Sequence, residues 1–194
     1  MKIKVFFLST VLTVMSLITF AQNEKRFGFE LSTGPSFATQ KIVDADVKTG
    51  LGFEGNFQYR FMDHVSVYAG WGWNHFYAEQ SFAGEKRDFE ETGYVMGLEF
   101  KHLIGQSAIS FYGRGAALYN HIEIENEEGD VLYNTGHGWG WQAAAGVDIP
   151  LGKNWSLTPG VKFNSLNRDL KISDLNYELK QNYLSARIGF IKRF

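Results

Sequence analysis

The sequence predicts an all-β protein: an eight-stranded antiparallel up-and-down transmembrane β-barrel, preceded by a cleaved signal peptide. Three observations predict it. Eight segments alternate large apolar with small or polar residues at a period of two, the repeat of a strand with two unlike faces. Tight and long connections alternate between them. Aromatics make up 16% of the chain, and 21 glycines against 3 prolines favour strands over helices. After residue 21 no stretch is long and apolar enough for a membrane helix, so a membrane form must close its sheet, because lipid cannot hydrogen-bond an open edge.

The amino end carries Lys2 and Lys4, an apolar run over 5–20, and the small residues Thr19 and Ala21 at a cleavage-like site. This is the pattern of a secretory signal peptide, and it divides the chain into a signal at 1–21 and a barrel domain at 22–194. With no cysteine there is no disulfide framework, no thiolate metal site and no lipidated amino terminus. Without Lys2 and Lys4 the balance is 17 basic to 21 acidic residues, a formal charge of −4, which argues against a nucleic-acid partner.

The strands follow in order. Over 26–37, Phe27, Phe29 and Leu31 oppose Gly28, Glu30 and Ser32. Over 49–61, Leu51, Phe53, Phe57, Tyr59 and Phe61 oppose Gly52, Glu54, Asn56, Gln58 and Arg60. Over 64–77, Val65, Val67, Ala69, Trp71 and Trp73 oppose Ser66, Tyr68, Gly70, Gly72 and Asn74. Over 91–103, Tyr94, Met96, Leu98 and Phe100 oppose Gly93, Gly97, Glu99 and Lys101. Over 108–122, Ile109, Phe111, Ala117 and Tyr119 oppose Ser110, Tyr112, Arg114 and Asn120. Over 138–151, Trp139, Trp141, Ala143, Ala145, Val147 and Ile149 oppose Gln142, Gly146 and Asp148. Over 154–167, Trp155, Leu157, Val161 and Phe163 oppose Ser156, Thr158, Lys162 and Asn164. The eighth, 184–194, sets Leu184, Ala186, Ile188, Phe190 and Phe194 against Ser185, Arg187, Gly189 and Arg193. Each is long enough to cross a bilayer when tilted.

The tight links are Met62-Asp63, 104–106 and Gly152-Lys153, and the long polar ones are 38–48, 78–90, 123–137 and 168–181. The aromatics fall into two belts: Phe27, Phe61, Phe111, Trp155 and Phe194 near the tight links, and Trp73, Tyr94, Tyr119, Trp139 and Phe163 toward the long ones. Rings with one apolar and one wet edge suit the two headgroup layers.

Signal, alternating strands, link rhythm and the terminal Phe190 and Phe194 together resemble the small eight-stranded outer-membrane barrels of the OmpA/OmpX type. The resemblance implies a Gram-negative outer membrane with both termini periplasmic, and Phe190 and Phe194 as the assembly signal. It also implies outer-membrane lipid, lipopolysaccharide and the barrel assembly machinery as partners. No nucleic acid, metal or cofactor is implied, and the extracellular partner is left open. Lys192 departs from the pattern, standing where an apolar residue is usual.

In a barrel of this width side chains fill the bore. Its inward face collects Glu30, Glu54, Glu99 and Asp148 with Arg60, Lys101, Arg114, Lys162 and Arg187, a nearly balanced set expected to pair into a plug. Many inward glycines (Gly28, Gly52, Gly70, Gly72, Gly93, Gly97, Gly146, Gly160, Gly189) leave room for the alternative of a small porin-like channel. A soluble lipocalin-like barrel shares the same period with its faces exchanged. A lipid-modifying enzyme would need a base beside Ser165, where 162–167 reads Lys-Phe-Asn-Ser-Leu-Asn and offers none. Glu123, Glu125, Glu127, Glu128 and Asp130 read as a solvated acidic loop, and His75 with His121 lacks a third metal ligand.

Overall fold

The computed structural model describes residues 25–172 and 175–194, and the expected signal peptide at 1–21 lies outside them. Ten strands are described: β1 (Phe27–Ala38), β2 (Gly50–Arg60), β3 (Val65–Ser81), β4 (Gly84–Leu103), β5 (Ser110–Glu125), β6 (Val131–Asn134), β7 (Gly138–Gly152), β8 (Trp155–Leu157), β9 (Gly160–Ile172) and β10 (Leu175–Arg193). All pair antiparallel. The ring runs β1, β2, β3, β4, β5, β7, β8 with β9, then β10, and β10 returns to β1. It has eight members because β8 and β9 are two pieces of one strand and β6 is a short flap on β5. The break at Thr158-Pro159 has a plain cause: proline has no N–H for the ladder. Thr158 and Gly189 still exchange backbone hydrogen bonds of 2.7 and 3.2 Å, so pairing with β10 continues through it.

Closure is a ladder from Gly28 opposite Arg193 to Ala38 opposite Tyr183. It is finished at one rim by two backbone bonds between Phe27 and Phe194, 3.2 and 2.9 Å. The rings of Phe27 and Phe194 stack at 6.3 Å, and Phe57 lies 6.2 Å from Phe194. Lys192 faces outward at the same rim. Its ammonium crosses the face of Trp155 at 5.1 Å and donates to the Lys153 carbonyl at 2.8 Å, so its stem lies along the outer wall and its charge reaches the edge.

The outward wall is apolar and exposed: Phe29, Leu31, Phe57, Met96, Leu98, Phe100, Trp141, Ile188 and Phe190 are among its large residues. An aqueous surface rarely carries a continuous apolar band of that extent. The inward wall holds the charged and amide groups. This polarity is the reverse of a lipocalin-like barrel and overturns that alternative.

The strands run longer than the alternation of apolar-out residues suggests. Two of the four long connections lie largely in strands and a third in part: β3 and β4 continue into a hairpin joined by Phe82-Ala83, β9 and β10 pair as far as Ile172 and Leu175, and β5 extends to Glu125. Parity is unchanged there, but polarity is exchanged. Phe76, Ala78, Phe89, Ile122, Ile124, Leu166, Leu170 and Leu179 point inward and are buried, while His75, Tyr77, Asp88, Glu90, Glu123 and Glu125 point outward. These extensions form an ordinary apolar-in, polar-out core above the lumen. The remaining connection, 39–49, folds over its mouth. Ile42 and Ala45 bond to each other through their backbones (3.2 and 3.0 Å) and are 1% and 0% exposed. Between them Val43 takes φ 60°, a left-handed conformation that costs a β-branched residue on the order of 1–3 kcal/mol, offset by the burial of its neighbours.

Deleting Phe194 removes both terminal backbone bonds and the ring contacts, so a smaller fraction of the protein should run as the compact, heat-modifiable band on a gel of unheated sample. An undiminished compact band would count against closure by this residue.

Candidate functional site

The candidate site is the bore itself, stacked in layers from the rim that carries the termini to the rim that carries the hairpins. Nearest the termini, Asp148 is shared by Lys101, at 3.3 Å, and by Arg193. Above it Arg114 bridges two carboxylates, Glu30 and Glu99, at 2.6 Å each. Its guanidinium lies between the rings of Tyr112 (4.7 Å) and Tyr68 (5.4 Å), while Thr158 donates to Glu30 at 2.6 Å. The next layer centres on Glu54, which accepts from Lys162 (2.6 Å), Asn56 (2.8 Å) and Gln142 (2.9 Å). All four carboxylates are under 6% exposed, and in so dry a bore an unpaired one would be very costly.

The fourth layer is made of neutral partners. Asn74 and Asn164 donate to the Tyr183 hydroxyl, 2.7 and 2.6 Å, and that hydroxyl donates to Glu91, which also accepts from Asn120. Tyr183 joins two regimes: its hydroxyl sits in this network, and its ring packs edge-on against Phe76 at 5.2 Å in the apolar core. The core then fills the bore from wall to wall. At its edge Arg168 caps carbonyls of Asn120 (3.0 Å), Trp139 (2.8 Å) and Asn167 (2.7 Å).

Of the nine charges expected in the lumen, Glu30, Glu54, Glu99, Asp148, Lys101, Arg114 and Lys162 meet in these pairs. Among the described residues Arg187 makes no ion pair with a carboxylate. It lies in the bore but donates to the Asn74 side-chain oxygen at 2.5 Å and to the Gly52 carbonyl, so neutral dipoles solvate it. Arg60 stands at the mouth on the termini side with Gln58 and Ser66 rather than inside the stack. Sequence reasoning missed Glu91, Arg168, Arg193 and Tyr183. Arg193 was legible from parity, since it shares the inward face with Arg187. Glu91 is the first residue of the fourth strand as read from the sequence, outside the alternating set, and Arg168 fell in a long connection.

The inward glycines do not leave an open channel. A Cβ at Gly146 would stand 2.5 Å from the Tyr112 hydroxyl, and one at Gly52, Gly70 or Gly93 would overlap Asn74, Asn56 or Asn120. Each of these four gaps is filled by the side chain of its register partner on the neighbouring strand. Remaining cavities hold about 20 Å³ beside Arg114 and Lys162 and about 10 Å³ beside Glu91 and Asn164, room for single waters.

Outside the bore, the histidines sort into two rims. His64 and His102 lie together, with ring centres 4.8 Å apart, near Phe100 and Phe111. At the hairpin rim His75 faces Asp88 at 3.3 Å, while His121 meets His137 at 3.2 Å and Glu123 at 3.2 Å. His75 and His121 thus have separate partners. Of the belt aromatics on this side, Tyr119 packs on Trp139 at 5.0 Å, and Phe163 on Trp141 at 5.3 Å. Glu123 and Glu125 belong to β5, not to a loop; with Glu90 their carboxylates lie within 4.8 Å of one another. Partial burial, then the like charges of Glu90 and Glu123, push the Glu125 carboxyl above its ordinary value. Glu127 turns away to Lys86, 2.9 Å.

Arg114→Met would strand Glu30 and Glu99 in the bore. The expected cost is about 3–5 kcal/mol, read as a lower urea midpoint of unfolding, with most of it recovered when Glu30→Gln and Glu99→Gln are added. Equal midpoints for Arg114→Met and the native chain would show that the bridge contributes nothing.

Comparison with known proteins agrees with this architecture. Neisserial surface protein A superposes with TM-score 0.64 at 14% identity, over 87% of this chain and 97% of that one. OprG from Pseudomonas aeruginosa gives 0.57 at 16% identity, over 87% and 93%. Outer membrane protein W of E. coli gives 0.55 at 15% identity, over 87% and 97%. Comparison with curated protein sequences returns no match. The sequence profile described as Outer membrane protein beta-barrel domain matches residues 7–190. With an apolar outer wall, a polar packed bore and that match over nearly all its length, the chain belongs to the outer membrane protein beta-barrel domain family.

Proposed function

We propose that this outer-membrane barrel is a closed scaffold that presents its hairpin rim at the cell surface and conducts nothing. The observation that carries this reading is the double closure of the bore. Paired charges fill the half nearer the termini, and a buried apolar core fills the other. A file of water or ions would have to cross Phe76, Phe89, Leu118 and Leu166, each 2% exposed or less, and the polar residues at that level, Gln181 and Arg168, are themselves buried at 1% and 5%. Binding then falls to what projects beyond the membrane: the β3–β4, β5–β6 and β9–β10 hairpins and the segment 39–49. Loops on a rigid scaffold are where such proteins carry recognition.

The termini and the tight links share one rim, which we assign to the periplasm; the polar hairpins face outward among lipopolysaccharide. The family's pattern of short periplasmic turns and long external connections supports that orientation. Phe190 and Phe194, on the outward face of the closing strand, are the residues we assign to recognition by the assembly machinery. A catalytic role is not part of this reading. Ser165 faces outward opposite Trp141 and Asn182, neither of which can serve as its base.

In planar bilayers the purified protein should give no current above background at high protein loading, and stepwise openings would refute the closed bore. Because the chain has no cysteine, orientation is read by single substitutions. On intact cells a membrane-impermeant maleimide should label Glu127→Cys and leave Gln106→Cys unlabelled; the reverse pattern would overturn the assignment.

A further inference from the structure

We propose that the paired imidazoles of His121 and His137, at the hairpin rim, form a binding site for a divalent transition-metal ion of the zinc and copper class. Nδ1 of His121 and Nε2 of His137 stand 3.2 Å apart. That separation is the bite of two imidazoles on one ion, since metal–nitrogen bonds of about 2.0–2.1 Å at a tetrahedral angle space their nitrogens in this way. The ring centres are only 4.4 Å apart, and the rings are tilted by 49°. A linear hydrogen bond between the nitrogens would hold the centres farther apart, so the two nitrogen directions converge to one side, where an ion fits. Behind His121, the Glu123 carboxylate lies 3.2 Å from Nε2. That contact keeps a proton on Nε2 and leaves Nδ1 as a lone pair toward His137, the carboxylate–histidine arrangement that orients metal-binding imidazoles. Asn134 donates to the same carboxylate oxygen at 2.6 Å and holds it in place.

One strand and one turn bring the pair together. His121 lies on the outward face of β5, its side chain 13% exposed. After β6 the chain turns at Gly136, whose φ of 69° suits a residue without Cβ, and the Asn134 side chain accepts from the Gly136 N–H at 2.7 Å. Ile122 and Thr135 tie this turn to β5 through two hydrogen bonds of 3.0 Å. The His137 ring stacks on Tyr119 at 5.2 Å and faces Tyr94 at 6.5 Å, which fixes its plane. The surrounding charge favours a cation, because the Glu90 and Glu125 carboxylates lie within 4.8 Å of that of Glu123. Imidazole ligands select ions that accept nitrogen over the hard cations that seek oxygen. Water or an outside ligand takes the remaining positions. The site stands outside the bore, so a bore that conducts would leave it intact.

The test titrates Zn2+ by calorimetry into the full mature chain, purified without a histidine tag in a non-ionic detergent. Binding should saturate at one ion per chain. His121→Gln and His137→Gln should each abolish saturation, and Glu123→Gln should weaken binding roughly 10–100-fold, the usual effect of losing the carboxylate behind a ligating imidazole. His64→Gln with His102→Gln, at the other rim, should bind like the native chain, and loss of binding there would overturn the assignment. Excess Ca2+ should not compete; displacement by Ca2+ would put the ion on the Glu90, Glu123 and Glu125 carboxylates instead and overturn it too. Retained heat-dependent gel mobility certifies that each variant is folded. The native chain gives a readout that needs no variant: with Cu2+ in place of Zn2+, the EPR spectrum should show nitrogen couplings from two imidazoles. Absence of saturable binding, couplings from fewer than two imidazoles, or folded His121 and His137 variants that bind like the native chain would overturn the proposal.

Discussion

The pairing of β1 with β10 is the constraint on which the rest of this structure depends. Lipid offers no hydrogen bonds, so every backbone group at membrane depth must find its partner within the sheet, and only a closed ring does that. Closure with eight strands makes a bore just wide enough for side chains. Everything placed inside must then be packed, which explains the density of the Arg114 and Glu54 clusters and the filling of the gaps at Gly52, Gly70, Gly93 and Gly146 by side chains of the neighbouring strand. The terminal residue belongs to this constraint, because the bonds between Phe27 and Phe194 end the closing ladder.

The second determinant is a change of solvent along each strand. In the membrane-facing half the outside is lipid and the inside is polar; beyond it the outside is water and the inside becomes an ordinary apolar core. Tyr183 marks the crossing, with its ring among hydrophobic residues and its hydroxyl in the amide network. The two halves close the bore by opposite chemistry. One uses paired charges whose desolvation is compensated locally, the other hydrophobic packing that leaves water little room. Arg187 shows how the first half tolerates an imperfect match of charges, since amide and carbonyl oxygens take the place of a carboxylate.

The same change of solvent explains which parts of the fold were legible. Membrane-facing strands such as β2 show apolar-out alternation so strongly that their ends and faces follow from residue identity alone. The extensions of β3, β4, β9 and β10 keep the period but exchange the polarity, so Phe89 and Leu170 read as isolated apolar residues in polar segments. Arg168 was passed over for that reason, and Glu91 because it opens its strand ahead of the apolar alternation. The segment 39–49 has no period at all, and only contact with the hairpins buries Ile42 and Ala45. The split of the seventh strand was visible in Pro159, yet its continued pairing through Thr158 was not.

What the sequence determined by itself was the class of the molecule. Period-two alternation and the rhythm of connections specify strand number and facing, because each is a local property of residue type. What the tertiary structure alone decided was who meets whom across the bore. That Arg114 bridges Glu30 and Glu99, that Asp148 answers two cations, and that Tyr112 occupies the space of Gly146 are consequences of register and stagger around a closed ring. Arg114 and Glu99 are register partners across one hairpin, but Glu30 reaches Arg114 from a strand far away in the chain, and no local pattern encodes the angle at which the ring closes.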